Sequence, residues 1–474
     1  MLFTSLEFLF LFLPVVLGVY FCLNDRLKNV WLLMASLFFY AWGEPKFVVV
    51  MVASIAFNYL MALLVSCTRK IPAVSRGFMV VAVAGNLSVL FLYKYANFAT
   101  SIARELFPGW QGVIQQTSYV LPIGISFFTF QALSYVIDVW RGVPVQRNPL
   151  NLALYIALFP QLIAGPIVRY TTVCEQILHR SVALDAFADG VYRFLVGFNK
   201  KILLANLFAV TADRAFAAAD LTAGFAWLGA VAYSFQILFD FSGYSDMAIG
   251  LGAMFGFRFL ENFNYPYVSK TITEFWRRWH ISLGSWFRDY VYFPLGGSRV
   301  GKWRMLANLA VVWLLTGIWH GANWTFILWG VLYGVLISFE KLVDLPRHVE
   351  NSRALRCLCR PFTLLAVLAG WVLFRSPSLS SASIYFKTML GGGTKIPIGG
   401  RDAFEFGEIF VVLVCGILCS TPFPSQVASW LRRRCRVGDL LTTVGGWICQ
   451  LALFLASVSF LIMRAHNPFI YFNF

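Results

Sequence analysis

Charged residues are scarce in this sequence. Only 13% of its 474 residues are charged and 59% are hydrophobic, whereas a soluble domain is typically about one quarter charged and about half apolar. Histidine is scarce as well, with five in the whole chain. The composition therefore excludes an ordinary soluble domain and indicates an integral membrane protein. Each apolar stretch of roughly 20 residues can cross a bilayer, and the sequence has about eleven such stretches.

Other absences narrow the class further. The nine cysteines form no paired CxxC motif, so the sequence predicts neither a metal site nor a disulfide framework. The first apolar run, LEFLFLFLPVVLGVYFCL, has no basic segment before it and no small-residue cleavage site after it, which favours a retained span over a signal peptide. The net charge of +16 would suggest nucleic acid as the partner of a soluble chain. Here the basic residues lie between apolar runs, so we expect contacts with membrane lipids and none with nucleic acid.

Three loops are rich in arginine and lysine: 66–76, 344–360 and 431–436. Such an excess is typical of cytoplasmic loops. We count three spans before the first loop and one span after the last. If all three loops face the cytoplasm, an odd number of spans separates each terminus from it. This parity predicts that both chain termini lie on the outer side of the membrane.

The middle of the chain reads differently from its flanks. Segments 119–142 and 158–170 carry Pro and Gly inside apolar runs, and segment 271–297 is amphipathic and dense in Trp, Arg and His. Broken or polar segments persist at membrane depth only where protein or a water-filled cavity shields them. We therefore predict one polytopic all-α membrane domain over 1–474 with these parts: a working core over 119–340, peripheral spans over 1–118 and 341–463, and an aromatic tail over 464–474.

His320 stands at the centre of the apolar run 313–330. An intramembrane histidine can simply bond a carbonyl group and join two helices. Its neighbours favour a functional interpretation, because Gly317 and Gly321 let another group approach closely and Asn323 can hold one imidazole tautomer. A neutral histidine in a low-dielectric cavity can act as a general base towards a hydroxyl group. His320 is therefore our first candidate for catalysis.

A second polar group lies in EFWRRWHISL and the residues after it. An interfacial amphipathic helix explains this pattern, with tryptophan at the headgroup level and arginine reaching lipid phosphates. Alternatively, the group forms the wall of an anion-binding cavity, which would suit a phosphate-bearing donor such as a coenzyme A or phosphopantetheine thioester. Composition alone leaves both interpretations open. The candidate residues are Trp276, Arg277, Arg278, Trp279, His280 and Arg288.

Asp240 and Asp246 lie in a largely apolar stretch. Two acids in a membrane core can bind a proton or an ion, which would favour a transporter. They can equally pair with the arginines just described. We prefer the pairing, because unpaired arginines in the core would be costly.

The chain ends in NPFIYFNF, eight residues past the last span at Tyr471. Aromatic residues after a span usually form an interfacial belt. A tethered tyrosine hydroxyl can also enter a cavity, accept an acyl group and carry it to an outside acceptor. Tyr471 is thus a candidate acyl relay.

Two runs of the sequence resemble a known family. The stretch FDFSGYSDMAIGLGAMFGFRFLENFNYPYVSKTITEFWRRWHISLGSWFRDYVYFPLGG, with TGIWHGANWTFILWG after it, closely resembles the membrane-bound O-acyltransferases, and within them the bacterial branch that acetylates exported polysaccharides. The resemblance implies a ring of transmembrane helices around a central tunnel. The essential histidine of the family falls on His320 and its second conserved polar position on His280. Tyr471 resembles an aromatic-tyrosine motif, proposed to carry the acyl group, in a small partner of the D-alanylating relatives.

The same resemblance implies the activity. An acetyl group would pass from a cytoplasmic thioester, most simply acetyl-CoA and with no bound cofactor, across the bacterial inner membrane to an exported polysaccharide of the alginate or cellulose type. Periplasmic or membrane-anchored SGNH esterase-like proteins would be the partners.

Two alternatives stay open. One is a transporter or flippase with Asp240 and Asp246 as coupling sites, which predicts inverted repeats. The other stays within the acyltransferases: transfer of D-alanine or another acyl group from a carrier protein, or of a long acyl chain to lipid.

Overall fold

The computed structural model describes residues 1–110, 112–392, 400–434 and 438–463, and over these ranges the chain is helical with no β-strand. Seven of the described helices are long and apolar enough to cross a membrane. An eighth span is added if Ala403–Cys419 and Phe423–Arg434, which meet at a bend of 64°, count as one. The predicted all-α, multi-pass architecture is confirmed. The predicted count of about eleven spans is not, because several apolar stretches form shorter or broken helices.

The chain divides into two compact units, of which the first comprises Met1–Val191 and Met247–Leu260. Within the first unit, Asn58 and Asn86 join two long helices through a pair of amide hydrogen bonds of 3.0 and 2.7 Å, a common way to hold helices together in lipid. The helices that lie wholly in this unit are Phe8–Cys22, Asp25–Gly43, Val48–Cys67, Pro72–Leu106, Ile125–Trp140, Pro149–Ala157, Phe159–Leu162 and Tyr170–Leu178.

The second unit comprises Tyr192–Asp246 and the described residues of Glu261–Phe474. Its core is aromatic, with Trp329, Tyr333 and Trp371 almost completely buried. Most of Leu184–Ala217 and Ala223–Met254 belongs to it. Its other helices are Ile272–Arg278, Ile281–Phe287 (continued by one wider turn over Arg288–Tyr292), Lys302–His320, Trp324–Leu342, Leu345–Asn351, Arg353–Arg375, Leu379–Lys387, Gly400–Cys419, Phe423–Arg434 and Gly438–Met463. The predicted single domain and its core over 119–340 stay predictions.

Helices Lys302–His320 and Trp324–Leu342 pack closely where two glycines meet. A Cβ atom on Gly317 would lie 2.5 Å from the carbonyl oxygen of Phe326 and 3.2 Å from the Cα atom of Gly330. Only glycine fits such an approach of two backbones. The close neighbour expected at Gly317 is thus the next helix of the chain, and this packing fixes where His320 lies.

The amphipathic segment 271–297 begins with Ile272–Arg278, and a buried acid anchors this short helix. The two carboxylate oxygens of Glu340 accept hydrogen bonds from the backbone N–H groups of Ile272 and Thr273, at 2.7 and 2.8 Å. A carboxylate is favourable there because the first N–H groups of a helix lack partners within it. Glu340 therefore fixes the start of the helix that carries Trp276 and Arg277.

Candidate active site

A cavity of about 430 Å³ in the second unit brings together most of the residues predicted to bind the donor. Helix Lys302–His320 contributes Val312, Trp313 and Thr316 to its wall, and His320 follows Thr316 by one turn. We call this space the His280 cavity. The predicted residues that line it are Trp276, Arg277, Trp279, His280 and Arg288.

Positive charge dominates the polar wall of the His280 cavity. Arg277 is exposed and has no ion-pair partner among the residues that the structure describes. Arg288 pairs with Asp289 at 2.7 Å. The buried indole Nε1 of Trp276 has no hydrogen-bond partner in the described chain. An unpaired guanidinium group and a spare N–H donor make the cavity suitable for an anionic ligand such as a phosphate ester.

Arg278 lies outside this cavity. Its guanidinium group is 2.9 Å from a carboxylate oxygen of Glu274 and donates to the backbone oxygen of Asn264 at 3.1 Å. Glu274 is four residues earlier on the same helix, where such pairs commonly form. The structure therefore separates Arg278 from the donor-binding candidates to which the sequence assigned it.

His280 is buried and is held on two sides. Its Nδ1 atom lies 3.1 Å from Oδ1 of Asn262, and its ring meets the edge of Phe241 at a centroid distance of 4.6 Å. Its backbone adopts the left-handed conformation, with φ of 45°, which is uncommon for a residue with a side chain. Burial lowers the pKa of His280 to about 3, because an imidazolium ion is disfavoured away from water. The ring is therefore neutral at physiological pH.

His320 is the last residue of its helix and lies among aromatic rings. The centroids of Trp319, Trp329 and Phe374 are 5.0, 4.9 and 5.1 Å from its own, each at a steep angle. The ring of Trp319 is also 6.2 Å from that of His280. One indole thus contacts both candidate histidines, which places them in the same part of the second unit.

The role predicted for Asn323 is corrected by the structure. Its Oδ1 atom accepts a hydrogen bond from the backbone N–H of Thr325 at 3.1 Å, and its Nδ2 atom donates to the backbone oxygen of Pro377 at 2.8 Å. Asn323 therefore caps helix Trp324–Leu342 and does not hold the imidazole of His320.

The acids pair with different bases from those expected. Asp240 forms an ion pair of 2.5 Å with Lys201, and Asp246 pairs with Arg193 at 2.9 Å and with Lys200 at 2.7 Å. The predicted pairing with the arginines at 277–288 is thus wrong, because helix Leu184–Ala217 supplies the bases. Pairing as such does occur, as expected for charges in a membrane core.

A second cavity of about 450 Å³ adjoins these ion pairs, and we call it the ion-pair cavity. Asp246, Arg193 and Lys200 line it together with Glu261, whose carboxylate also pairs with Arg193. Asn262, which contacts His280, lines it as well. Sequence reasoning missed all of these partners, although lone charges inside apolar helices, such as those at 193, 200 and 201, were a visible signal.

Tyr471, the candidate acyl relay, lies outside the described residues.

Comparisons with known proteins identify the family of this chain. The model of the membrane-bound O-acyltransferase family matches residues 88–378. A probable alginate O-acetylase of Azotobacter vinelandii is 46% identical over 83% of this chain and 79% of its own length, and one of Pseudomonas putida is 40% identical over the full length of both chains. A peptidoglycan O-acetyltransferase of Helicobacter pylori is 35% identical over 86% of this chain and 83% of its own. The chain therefore belongs to the membrane-bound O-acyltransferase family and is a multi-pass acyltransferase.

Proposed function

We propose that this protein transfers an acetyl group from a cytoplasmic thioester, most simply acetyl-CoA, for the O-acetylation of an exported polysaccharide. The observation that carries the proposal is the His280 cavity, where a neutral imidazole shares a wall with Arg277, Arg288 and two tryptophans. A coenzyme A thioester carries phosphates, which guanidinium groups bind. The relatives named for alginate and peptidoglycan O-acetylation support a polysaccharide as the final acceptor.

The proposed chemistry assigns the two histidines different tasks. His320 accepts the proton of the acceptor hydroxyl, whose oxygen attacks the thioester carbonyl. The carbon–sulfur bond breaks, and the departing sulfur takes up the proton as the thiol. His280 contacts the reacting groups from the wall of the cavity. The aromatic rings around His320 exclude water, which protects the thioester from hydrolysis.

The location follows from the charge distribution. We propose a bacterial inner membrane with the three basic loops (66–76, 344–360 and 431–436) on the cytoplasmic side and both chain termini in the periplasm. The donor would enter from the basic face. The acyl group would leave on the outer side, through the hydroxyl group of Tyr471 or directly to a periplasmic SGNH esterase-like partner.

The first test uses membranes that contain the wild-type chain, His320→Ala or His348→Ala, each supplied with acetyl-labelled acetyl-CoA. His348 is exposed and lies outside both cavities, so its variant is a matched control. We expect covalent label on the chain, a partner or polymer for the wild type and the control. We expect His320→Ala to lose at least about a hundredfold in rate, the usual contribution of a general base.

Each other outcome contradicts a defined part of the proposal. Label that is undiminished in His320→Ala excludes His320 as the base. A folded wild-type chain without label excludes acetyl-CoA as the donor, and a carrier-bound thioester is then the next substrate to test. The relay is tested separately with Tyr471→Phe, which should insert normally into the membrane and abolish polymer acetylation. The control Phe474→Leu keeps the hydroxyl group of Tyr471 and should retain polymer acetylation. Normal acetyl ester on polymer from Tyr471→Phe excludes the relay.

A further inference from the structure

One oxygen atom of Asn262 receives three groups of the segment that carries His280. Besides Nδ1 of His280 at 3.1 Å, Oδ1 of Asn262 contacts the backbone N–H of Ser282 at 3.2 Å and the Ser282 hydroxyl at 2.9 Å. All three residues are buried. This oxygen is therefore the centre of a small, buried polar cluster.

The identity of this oxygen fixes the position of a proton on His280. A backbone N–H can only donate a hydrogen bond, so the Asn262 atom that it contacts must be the carbonyl oxygen and not the amide nitrogen. A carbonyl oxygen can only accept, so Nδ1 of His280 carries the hydrogen in this contact. The Ser282 hydroxyl also lies 3.5 Å from Nδ1, but it donates its single hydrogen to the same Asn262 oxygen at 2.9 Å and leaves Nδ1 as the donor. In a neutral ring the other nitrogen, Nε2, then carries a lone pair and is an acceptor.

The second nitrogen of His280 is left available. Its Nε2 atom is buried and has no hydrogen-bond partner within the part of the chain that the structure describes, while His280 lines the cavity that contains Arg277. A buried polar atom without a partner is costly. A ligand N–H or O–H group in the cavity would satisfy it.

The backbone holds this arrangement in register. The backbone oxygen of Asn262 accepts from the N–H of Ile281 at 3.0 Å, so Asn262 contacts His280 and the two residues that follow it in sequence. His280 itself keeps its left-handed backbone conformation. Asn262 therefore specifies both where the imidazole lies and which of its nitrogens is protonated.

We propose that Asn262 is a positioning residue for acyl transfer: it holds His280 in the Nδ1–H tautomer, so that Nε2 accepts a hydrogen bond from an N–H or O–H group of a substrate in the His280 cavity. This inference rests on the proposed function. Both substrates carry suitable groups, because a coenzyme A thioester has amide N–H groups and the acyl acceptor has a hydroxyl.

The tautomer is measured directly by nitrogen-15 magnetic resonance of the full chain with labelled histidine in lipid. The chain has five histidines, and the signal that His280→Gln lacks belongs to His280. We expect the Nδ1–H tautomer in the wild type and in Asn264→Ala, a control that lines the ion-pair cavity two residues away. We expect Asn262→Ala to populate the Nε2–H tautomer. This measurement does not depend on activity, so it separates the inference from the proposed function.

Kinetics of the same variants show which substrate group is bound. Per folded molecule, Asn262→Ala should lose about tenfold or more in acyl transfer, although the buried donors that lose their acceptor also lower its melting temperature, whereas Asn264→Ala should lose little. A fall in kcat with unchanged KM for the thioester identifies the acceptor hydroxyl, and a rise in that KM identifies the donor amide.

Three results would overturn the inference. They are a wild-type His280 in the Nε2–H tautomer, an Asn262→Ala chain that keeps the Nδ1–H tautomer, and full activity with the tautomer changed. If Asn262→Ala fails to fold, Asn262→Asp keeps an oxygen that accepts from Nδ1 and Ser282. In that variant Nδ1 must stay protonated, and an unprotonated Nδ1 overturns the inference equally.

Discussion

Lys201 and Asp240 form a buried ion pair, with 2.5 Å between Nζ and Oδ1 and side-chain exposures of 4% and 2%. Removing one partner of such a pair takes the opposite charge away from a buried ion in a medium that solvates charge poorly. We expect Lys201→Met to lower the free energy of unfolding by roughly 3–5 kcal/mol, measured as loss of folded protein in detergent.

A double variant and a surface pair provide the controls. Lys201→Met combined with Asp240→Leu removes both charges and should restore most of the stability, because the two desolvation costs disappear together. Lys28→Met breaks a pair in which Asp25 is 87% exposed, and should cost less than about 1 kcal/mol. If the double variant is as unstable as Lys201→Met, Lys201 does not stabilise the fold through its ion pair with Asp240.

This pair also marks a limit of sequence reasoning. The sequence indicates that Asp240 needs a cationic partner, because a lone acid in an apolar helix is costly. It does not indicate which one, since Lys201 lies on another helix and only the packing of the two helices brings the charges together. Several residues of the His280 cavity were predictable because they lie in one short segment. Trp276, Trp279 and His280 are within five residues of one another, so their spacing alone places them close together.

Arg277 and Arg278 are adjacent in sequence and lie in different surroundings, which gives a matched pair of variants. Arg277 lines the His280 cavity, whereas Arg278 pairs with Glu274. Loss of a charged hydrogen bond to donor phosphate costs roughly 1.5–3 kcal/mol. We expect Arg277→Ala to raise the KM for the thioester about ten- to a hundredfold, with little change in kcat.

Arg278→Ala is the control and should leave that KM within about twofold, because its pair with Glu274 is partly exposed and contributes little. Arg277→Lys keeps the positive charge but lacks the planar guanidinium group, so its KM for the thioester should lie between those of the wild type and Arg277→Ala. Equal KM changes in Arg277→Ala and Arg278→Ala would argue against the His280 cavity as the donor site.

His280 gives the folded protein a defined pH dependence. Burial lowers its pKa from the ordinary value of 6.5 to about 3, so below about pH 6.5 the unfolded chain binds a proton at this residue that the folded chain does not. The contribution to stability is complete above pH 6.5 and is lost progressively as the pH falls towards 3. Acidification from about pH 7 to about pH 5 should therefore lower the melting temperature of the wild type more than that of His280→Gln.

The comparison is made at both pH values on both chains in the same lipid, so that other titrating groups contribute equally. His348→Gln, which changes an exposed histidine, should behave as the wild type. An identical acid-induced decrease in the wild type and His280→Gln would mean that His280 is not held neutral by burial.

The number of spans is hard to predict from the length of apolar runs, and the reason is physical. An apolar run of about 20 residues satisfies the length criterion, but Pro and Gly let the backbone turn within it where protein shields the exposed groups. Segment 158–170, which the sequence predicts to be a broken run, has such turns: only Phe159–Leu162 in its first half and the start of Tyr170–Leu178 at its end are helical. The length of apolar runs therefore does not by itself fix the number of spans.

The close approach of Gly317 and Gly330 connects packing to catalysis. A Cβ atom on Gly330 would lie 3.1 Å from the Cα atom of Gly317 and closer still to the backbone oxygen of Trp313. Gly330→Ala must therefore push helix Lys302–His320 away, at a cost of about 1–3 kcal/mol. Because His320 ends that helix, we expect acyl transfer to fall about a hundredfold, the effect of misplacing a reacting group by roughly 1 Å.

The matched control is Gly407→Ala, a helical glycine whose added Cβ would meet nothing within 4 Å. That variant should keep full activity and gain stability by up to about 1 kcal/mol, because alanine is the better helix former. If Gly330→Ala is destabilised and transfers acetyl at the wild-type rate, the position of His320 does not depend on this helix contact. Loss of activity with the fold retained would instead show that the contact of the two helices sets the position of His320.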